Sequence, residues 1–166
     1  MPEAGDRITV PVSQDQAWDF AADARNSPRW VFGVREVWGD LRHPLLPGDH
    51  LKARLVAGGR MLESDWEVVS CERPSFLSSK GRAMGATAVL RIEFVALGPK
   101  STEVRYHLSY QLPGGVIGAL APKFGLQSLL EAQAKASVRS LRRLLFRANR
   151  PTPGATRFEV GDSQSQ

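Results

Sequence analysis

The sequence predicts an α+β fold: a curved antiparallel sheet wrapped around a long C-terminal helix, with two short helices after the first strand. Three observations carry this. Apolar and polar residues alternate with period two through most of residues 34–112, two helix-start signals fall between residues 13 and 32, and one unbroken helical stripe runs over residues 122–148.

Ile8, Val10 and Val12 alternate with polar neighbours and read as the first strand. In residues 13–24, Ser13 followed three positions later by Gln16 is the reciprocal pair that satisfies two free N–H groups at a helix start. Ala17, Phe20, Ala21 and Ala24 then recur at helical spacing. Ser27-Pro28 repeats the signal, the hydroxyl as cap and proline where its missing N–H is harmless, and predicts a short helix over 28–32.

From Gly33 onward the pattern is that of a sheet. Strands are expected at 34–38, 50–57, 61–71, 74–83, 86–97 and 102–112. Gly58-Gly59 joins two of them in a two-residue hairpin turn and Gly98-Pro99 joins two others. Short connections require antiparallel pairing, because parallel strands need long crossovers. One face is wet (Lys52, Arg54, Glu63, Asp65, Glu67), and the other is apolar or small. A turn of helix at 116–121 precedes the long helix over 122–148, whose stripe is Leu126, Leu130, Ala134, Val138, Leu141 and Leu145. Residues 1–150 are expected to form one domain and 151–166, with two prolines, two glycines and a polar end, a disordered tail.

A sheet with one wet face must cover the other, and the final helix is the one element long enough to do so. Ala53, Ala57, Ser64, Ser79, Gly81, Ala83 and Ala88 on the covered face, with Ala134 on the helix, are small enough to leave a hollow interior. Leu55, Trp66, Leu90, Phe94, Tyr106 and Tyr110 would line it, with Leu77 on the same face. An apolar recess with a few polar groups is the composition of small-molecule sites.

Composition narrows the setting. At 166 residues with 42% hydrophobic and 23% charged side chains the chain is an ordinary globular one. One cysteine, Cys71, forbids an internal disulfide framework and a cysteine-built zinc site. No signal-peptide pattern or long apolar window is present, so a cytoplasmic protein is expected. The net charge of +5 is uneven: residues 123–150 hold seven Lys and Arg against Glu131 alone, while the remainder is close to neutral.

No serine is flanked by glycines as in a nucleophile elbow, and Gly81 and Gly85 lie between strands rather than in a phosphate-cradling loop. His43, His50 and His107 are scattered, two of them on the wet face, so neither metal nor cofactor is expected. Strand alternation puts no Asp, Glu, His, Lys or Arg on the covered face, which leaves Tyr106 and Tyr110 as hydrogen-bond donors to a ligand, or as packing under the helix with satisfied hydroxyls.

The run ITVPVSQDQAWDFAADARNSPRWVFGVREV, the central DWEVVSCERPSFLSSK, and YQLPGGVIGAL ahead of an Arg-rich helix together resemble the bacterial polyketide cyclase/dehydrase-like branch of the START-related SRPBCC, or helix-grip, superfamily. The resemblance spans residues 7–148. It implies a helix-grip fold with a deep hydrophobic cavity for lipids, polyketides, sterols or quinones, and it places Trp30 and Phe124 near the cavity mouth. Some relatives are aromatase/cyclases, others carriers, and one branch consists of ribosome-directed toxins. Fold analogy does not choose among them.

The expected function is binding or carriage of a hydrophobic small molecule, motivated by small inner residues and the lack of inward ionisable groups. The alternatives are a polyketide aromatase/cyclase or dehydrase-type enzyme and a ribosome-directed toxin-like regulator. The basic helix face is first a solvated face that complements the helix dipole. Beyond that it suits an anionic membrane surface, whereas nucleic acid is disfavoured because Phe146 is the one aromatic among the arginines.

Overall fold

The computed structural model describes residues 2–112 and 123–150, with the side chains of Lys123 and Phe124 outside that set. The elements are β1 (Glu3–Val10), α1 (Gln14–Ala21), α2 (Ser27–Trp30), β2 (Val34–Gly39), β3 (His50–Ala57), β4 (Arg60–Glu72), β5 (Phe76–Ala83), β6 (Ala86–Gly98), β7 (Ser101–Gln111) and α3 (Lys123–Ala148). All strands join one antiparallel sheet in the order β1-β7-β6-β5-β4-β3-β2. This is the α+β arrangement of a sheet around a long final helix. The expected helix turn at 116–121, the tail at 151–166 and the Phe124 side chain lie outside the described residues.

The first strand starts earlier than its apolar residues suggest. Backbone pairing with β7 runs from Glu3↔Ser109 to Val10↔Thr102, so polar residues are recruited by the ladder. Val12 lies past the strand, where its carbonyl accepts from the buried Thr102 Oγ1 at 2.9 Å. The Ser13–Gln16 capping box forms as read, with Gln16 N donating to Ser13 Oγ at 3.2 Å and Ser13 N to Gln16 Oε1 at 3.1 Å. α1 stops sooner than residue 24 because Asp23 is extended and caps a separate 3₁₀ turn, its carboxylate accepting from Arg25 N. The N-cap of α2 is Asn26, which makes no side-chain cap bond; Ser27 is already helical, and an extended Val31 ends the helix before residue 32.

Two hairpin turns are built alike. Gly58-Gly59 and Met84-Gly85 all have positive φ, as two-residue turns with the twist of the flanking strands require. These turns mark one end of the sheet, shared with the start of β1 and the end of β7. The opposite end holds α1 and the turns after β4 and β6.

The core is densest at the α1 end. Trp18 meets Phe94 edge-on at 5.3 Å between ring centroids, and Gln14 Nε2 donates to the Phe94 carbonyl at 2.8 Å. Val10, Val68, Val104, Val138 and Leu141 are fully buried around them, each contributing roughly 1.5–3 kcal/mol of burial. α3 packs closest to β1, β7 and α2. Ser137 Oγ accepts from Phe32 N at 2.9 Å and Gln133 Nε2 donates to Phe32 O at 3.1 Å, tying the helix to the turn after α2. Among the described residues no helix is long and apolar enough to cross a membrane.

Candidate functional site

Burial along the helix-facing rows is not uniform. At the α1 end, Val68, Leu77, Ile92, Phe94 and Val104 are buried; toward the hairpin turns of the same strands, Leu55, Ala57, Leu62, Trp66, Ala88 and Leu90 keep part of their surface. α3 follows the same gradient. Ala134, Val138, Leu141 and Leu145 are buried, whereas Leu126 and Leu130, nearer its start, are half-buried. Partly exposed apolar side chains on rows that should be covered define the candidate site, at the end of the sheet that bears the hairpin turns.

The expected residues divide accordingly. Leu55, Trp66 and Leu90 lie at this open end, and Tyr110 is buried beside them as register partner of Ala88. Leu77 and Phe94 belong to the filled end. Trp30 and Tyr106 are buried against each other, edge-on at 6.0 Å. Trp30 also lines a cleft of about 240 Å³ between α2, β2 and α3, together with Arg35, Val56 and Ser140. A second cleft of about 490 Å³ meets Trp66, Gly81 and Ala88 along with outward-facing Lys80, Arg82 and Gln111. Neither cleft includes Leu55, Leu77, Leu90, Phe94, Tyr106 or Tyr110.

Small residues do not all leave space. Gly81 stands opposite Trp66 on the neighbouring strand, and a β-carbon on it would come within 2.6 Å of the indole ring. The ring occupies the volume that the glycine vacates. Its Nε1 donates to Ser64 Oγ at 2.9 Å, and that hydroxyl contacts the Ala53 carbonyl at 3.3 Å, so two small-residue positions hold the indole in place. Ala134 is likewise used up in packing α3 onto the core.

The two tyrosines are in different situations. Complete burial pushes the Tyr106 phenol well above the ordinary tyrosine range. Tyr110 is raised by desolvation and by the negative charge of Glu131. Its hydroxyl donates to Gln127 Oε1 at 2.8 Å, and Gln127 Nε2 donates in turn to the Glu3 carbonyl at 2.7 Å, a latch between the sheet and the first turns of α3. Both phenols are therefore neutral donors at ordinary pH.

One ionisable residue escaped the alternation argument. Asp6 shares its row on β1 with Ala4, Ile8 and Val10 and is the register partner of Tyr106. Its carboxylate accepts from Arg7 N at 2.9 Å, and it lines an edge cleft with Glu131 and Lys135. The missing signal was the strand start, since only a strand beginning at Glu3 puts Asp6 on that row. Among the described residues no group of three or more His, Cys, Asp or Glu is placed to hold a metal ion.

A family model described as polyketide cyclase/dehydrase and lipid transport matches residues 1–145. A START superfamily protein from Mycobacterium smegmatis superposes with a TM-score of 0.74 at 15% identity, covering 88% of this chain and 98% of that one. The Zhui aromatase/cyclase from Streptomyces sp. R1128 superposes at 0.75 with 14% identity, covering 92% and 98%. The di-domain ARO/CYC BexL gives 0.70 at 15% identity, covering 91% of this chain and 48% of that one. Identities this low speak to the fold. No curated protein matches by sequence.

Proposed function

The chain belongs to the polyketide cyclase/dehydrase and lipid transport family, and from that premise we propose that it binds and carries a hydrophobic small molecule at the open end of the sheet. The observation that carries this reading is the group of half-buried Leu55, Ala57, Leu62, Trp66, Ala88 and Leu90 on a face whose other end is buried. Apolar surface left part-exposed beneath a helix is stabilised by an apolar guest, because each square ångström removed from water contributes about 25 cal/mol. Leu55, Trp66, Leu90 and Tyr110 would touch the guest, and Trp30, Leu77, Phe94 and Tyr106 would form the wall behind them. Phe124 stays in the proposal as a mouth residue on the strength of the resemblance.

Native mass spectrometry after incubation with a lipid or polyketide extract tests this. Wild-type protein should retain an apolar adduct, and Ala88→Phe should lose it while unfolding at a similar denaturant concentration. Ligand-free protein recovered from every extract would overturn the reading.

A second reading, a cyclase or dehydrase-type enzyme, draws on Asp6, the one acid in the row beside Tyr106. A neutral phenol can donate to a substrate carbonyl while a carboxylate accepts a proton. If that chemistry operates, Asp6→Asn and Tyr106→Phe should each lower turnover of a polyketide-like substrate without abolishing its binding. Unchanged turnover in both would remove it.

A further inference from the structure

The large apolar side chains exposed at the open end come from four separate elements. Phe32, in the turn between α2 and β2, is 59% exposed; Met61, beside the Gly58-Gly59 turn, 57%; Met84, in the β5–β6 turn, 72%; and Leu129 on α3, 43%. Pairing of Asp65 with Arg82 puts Met84 level with Glu63, two residues from Met61, so the two hairpin tips stand side by side. Phe32 is tied to α3 through Gln133, one helical turn from Leu129. These side chains stand at the end of the sheet that bears the site described above, an apolar crown in which Met61 takes the outward row of β4 with Glu63.

Met84 adds an independent sign. It is the one non-glycine residue with positive φ (50°) among those described, in a position where L-residues are disfavoured and glycine or asparagine is the usual occupant. A strained, apolar residue held out in water is a poor choice for stability and a good one for insertion into an apolar phase.

On the β2 to β5 side of the crown, three cations have no carboxylate partner. Arg35, Arg60 and Arg82 are exposed, and none is paired with a carboxylate among the described residues. Glu36 and Glu63, on the neighbouring strands, are both engaged by Arg54, at 2.8 and 3.3 Å. On the β1 side, Glu3, Asp6 and Glu131 are the acids of this end, with Lys135 beside them. Exposed apolar side chains beside three unpaired arginines on β2, β4 and β5 match a bilayer surface, acyl chains beneath a layer of phosphates.

We propose that the crown formed by Phe32, Met61, Met84 and Leu129, backed by Arg35, Arg60 and Arg82, docks the open end of the protein onto an anionic phospholipid surface. The docking face is therefore the mouth of the site and not the arginine-rich stripe of α3, whose Arg139, Arg143 and Arg147 run away from that end. Nucleic acid fits the crown less well, because methionine and leucine offer no aromatic face on which bases stack. Docking requires no cargo, so it stands or falls separately from the ligand reading.

Co-sedimentation of the full chain with phosphatidylcholine vesicles, with and without phosphatidylglycerol, at low and high salt, is the test. Binding should require phosphatidylglycerol and weaken with salt. The double variant Met61→Ser/Met84→Ser, and separately Arg60→Gln/Arg82→Gln, should lower affinity about tenfold while leaving the circular dichroism spectrum unchanged; Arg139→Gln/Arg143→Gln should change it little. No binding to either vesicle, equal binding to both, or loss of binding in the α3 variant alone would overturn the proposal. Retention of single-stranded RNA but not vesicles would overturn it in favour of a nucleic-acid surface.

Discussion

The indole of Trp66 lies across Gly81, its register partner on the adjacent strand, so closely that a β-carbon on the glycine would approach three ring atoms at 2.6–2.7 Å. The pair is one structural unit: the glycine supplies room and the ring fills it. The indole is only half-buried, so Trp66 also contributes surface to the candidate site.

Gly81→Ala should consequently destabilise the protein by about 1–3 kcal/mol, the usual cost of overfilling a packed position. Urea denaturation followed by tryptophan fluorescence measures it. A midpoint equal to the wild type would show that the ring can move aside without cost.

Alkali should reveal both tyrosines. Tyr106 and Tyr110 are the only two in the chain, and both phenols are raised, by burial first and for Tyr110 also by Glu131. An acid raised in the folded state binds more protons there than when unfolded, so stability is intact below the unfolded pKa of about 10 and declines as pH climbs past it. Ultraviolet titration should therefore show no full tyrosinate signal until the chain unfolds. Ordinary titration of both rings in the folded protein would contradict the burial of Tyr106.

Acid acts on a different group. Arg25, hydrogen-bonded to Asp23 at 2.6–3.1 Å, holds its carboxyl below the usual carboxylate range despite the opposing effect of burial. A depressed pKa means that the contribution is present above the unfolded value of about 3.9 and fades as pH falls through the folded one. Asp23→Ala should cost about 1 kcal/mol at neutral pH, the typical value of a lost cap, and should flatten the acid limb of the stability profile. Arg25 is largely exposed, which keeps the ion-pair share of this small.

Met84→Gly should make the protein more stable. Relief of about 1–2 kcal/mol of left-handed strain exceeds the roughly 0.5–1 kcal/mol entropic cost of glycine, leaving a gain on the order of 0.5 kcal/mol. Thermal unfolding reads the gain. If the crown docks to lipid, the same variant binds anionic vesicles more weakly, so stability and association move in opposite directions.

Much of this molecule was legible in residue order, because the signals involved are local. The Ser13–Gln16 cap, the Gly58-Gly59 turn and the alternation along β3, β7 and most of β4 to β6 each depend on neighbours a few positions away, and each formed close to where it was read. Element ends were less legible. β1 reaches back to Glu3 because β7 offers it a ladder, and α1 ends early because Asp23 caps a separate turn.

The sequence by itself determined the period-two alternation along most of the sheet and the concentration of positive charge in the last helix, since these follow from backbone geometry and composition; the bulges that shift the register in β2, β4 and β6 came from strand pairing. Tertiary structure alone decided which small residues leave space and which are filled by a neighbour, as Gly81 is by Trp66; that Asp6 stands level with Tyr106; and that Phe32, Met61, Met84 and Leu129, far apart in the chain, gather at one end. Volume and proximity are properties of pairs brought together by folding, and the period of a single strand or helix carries no record of its partner.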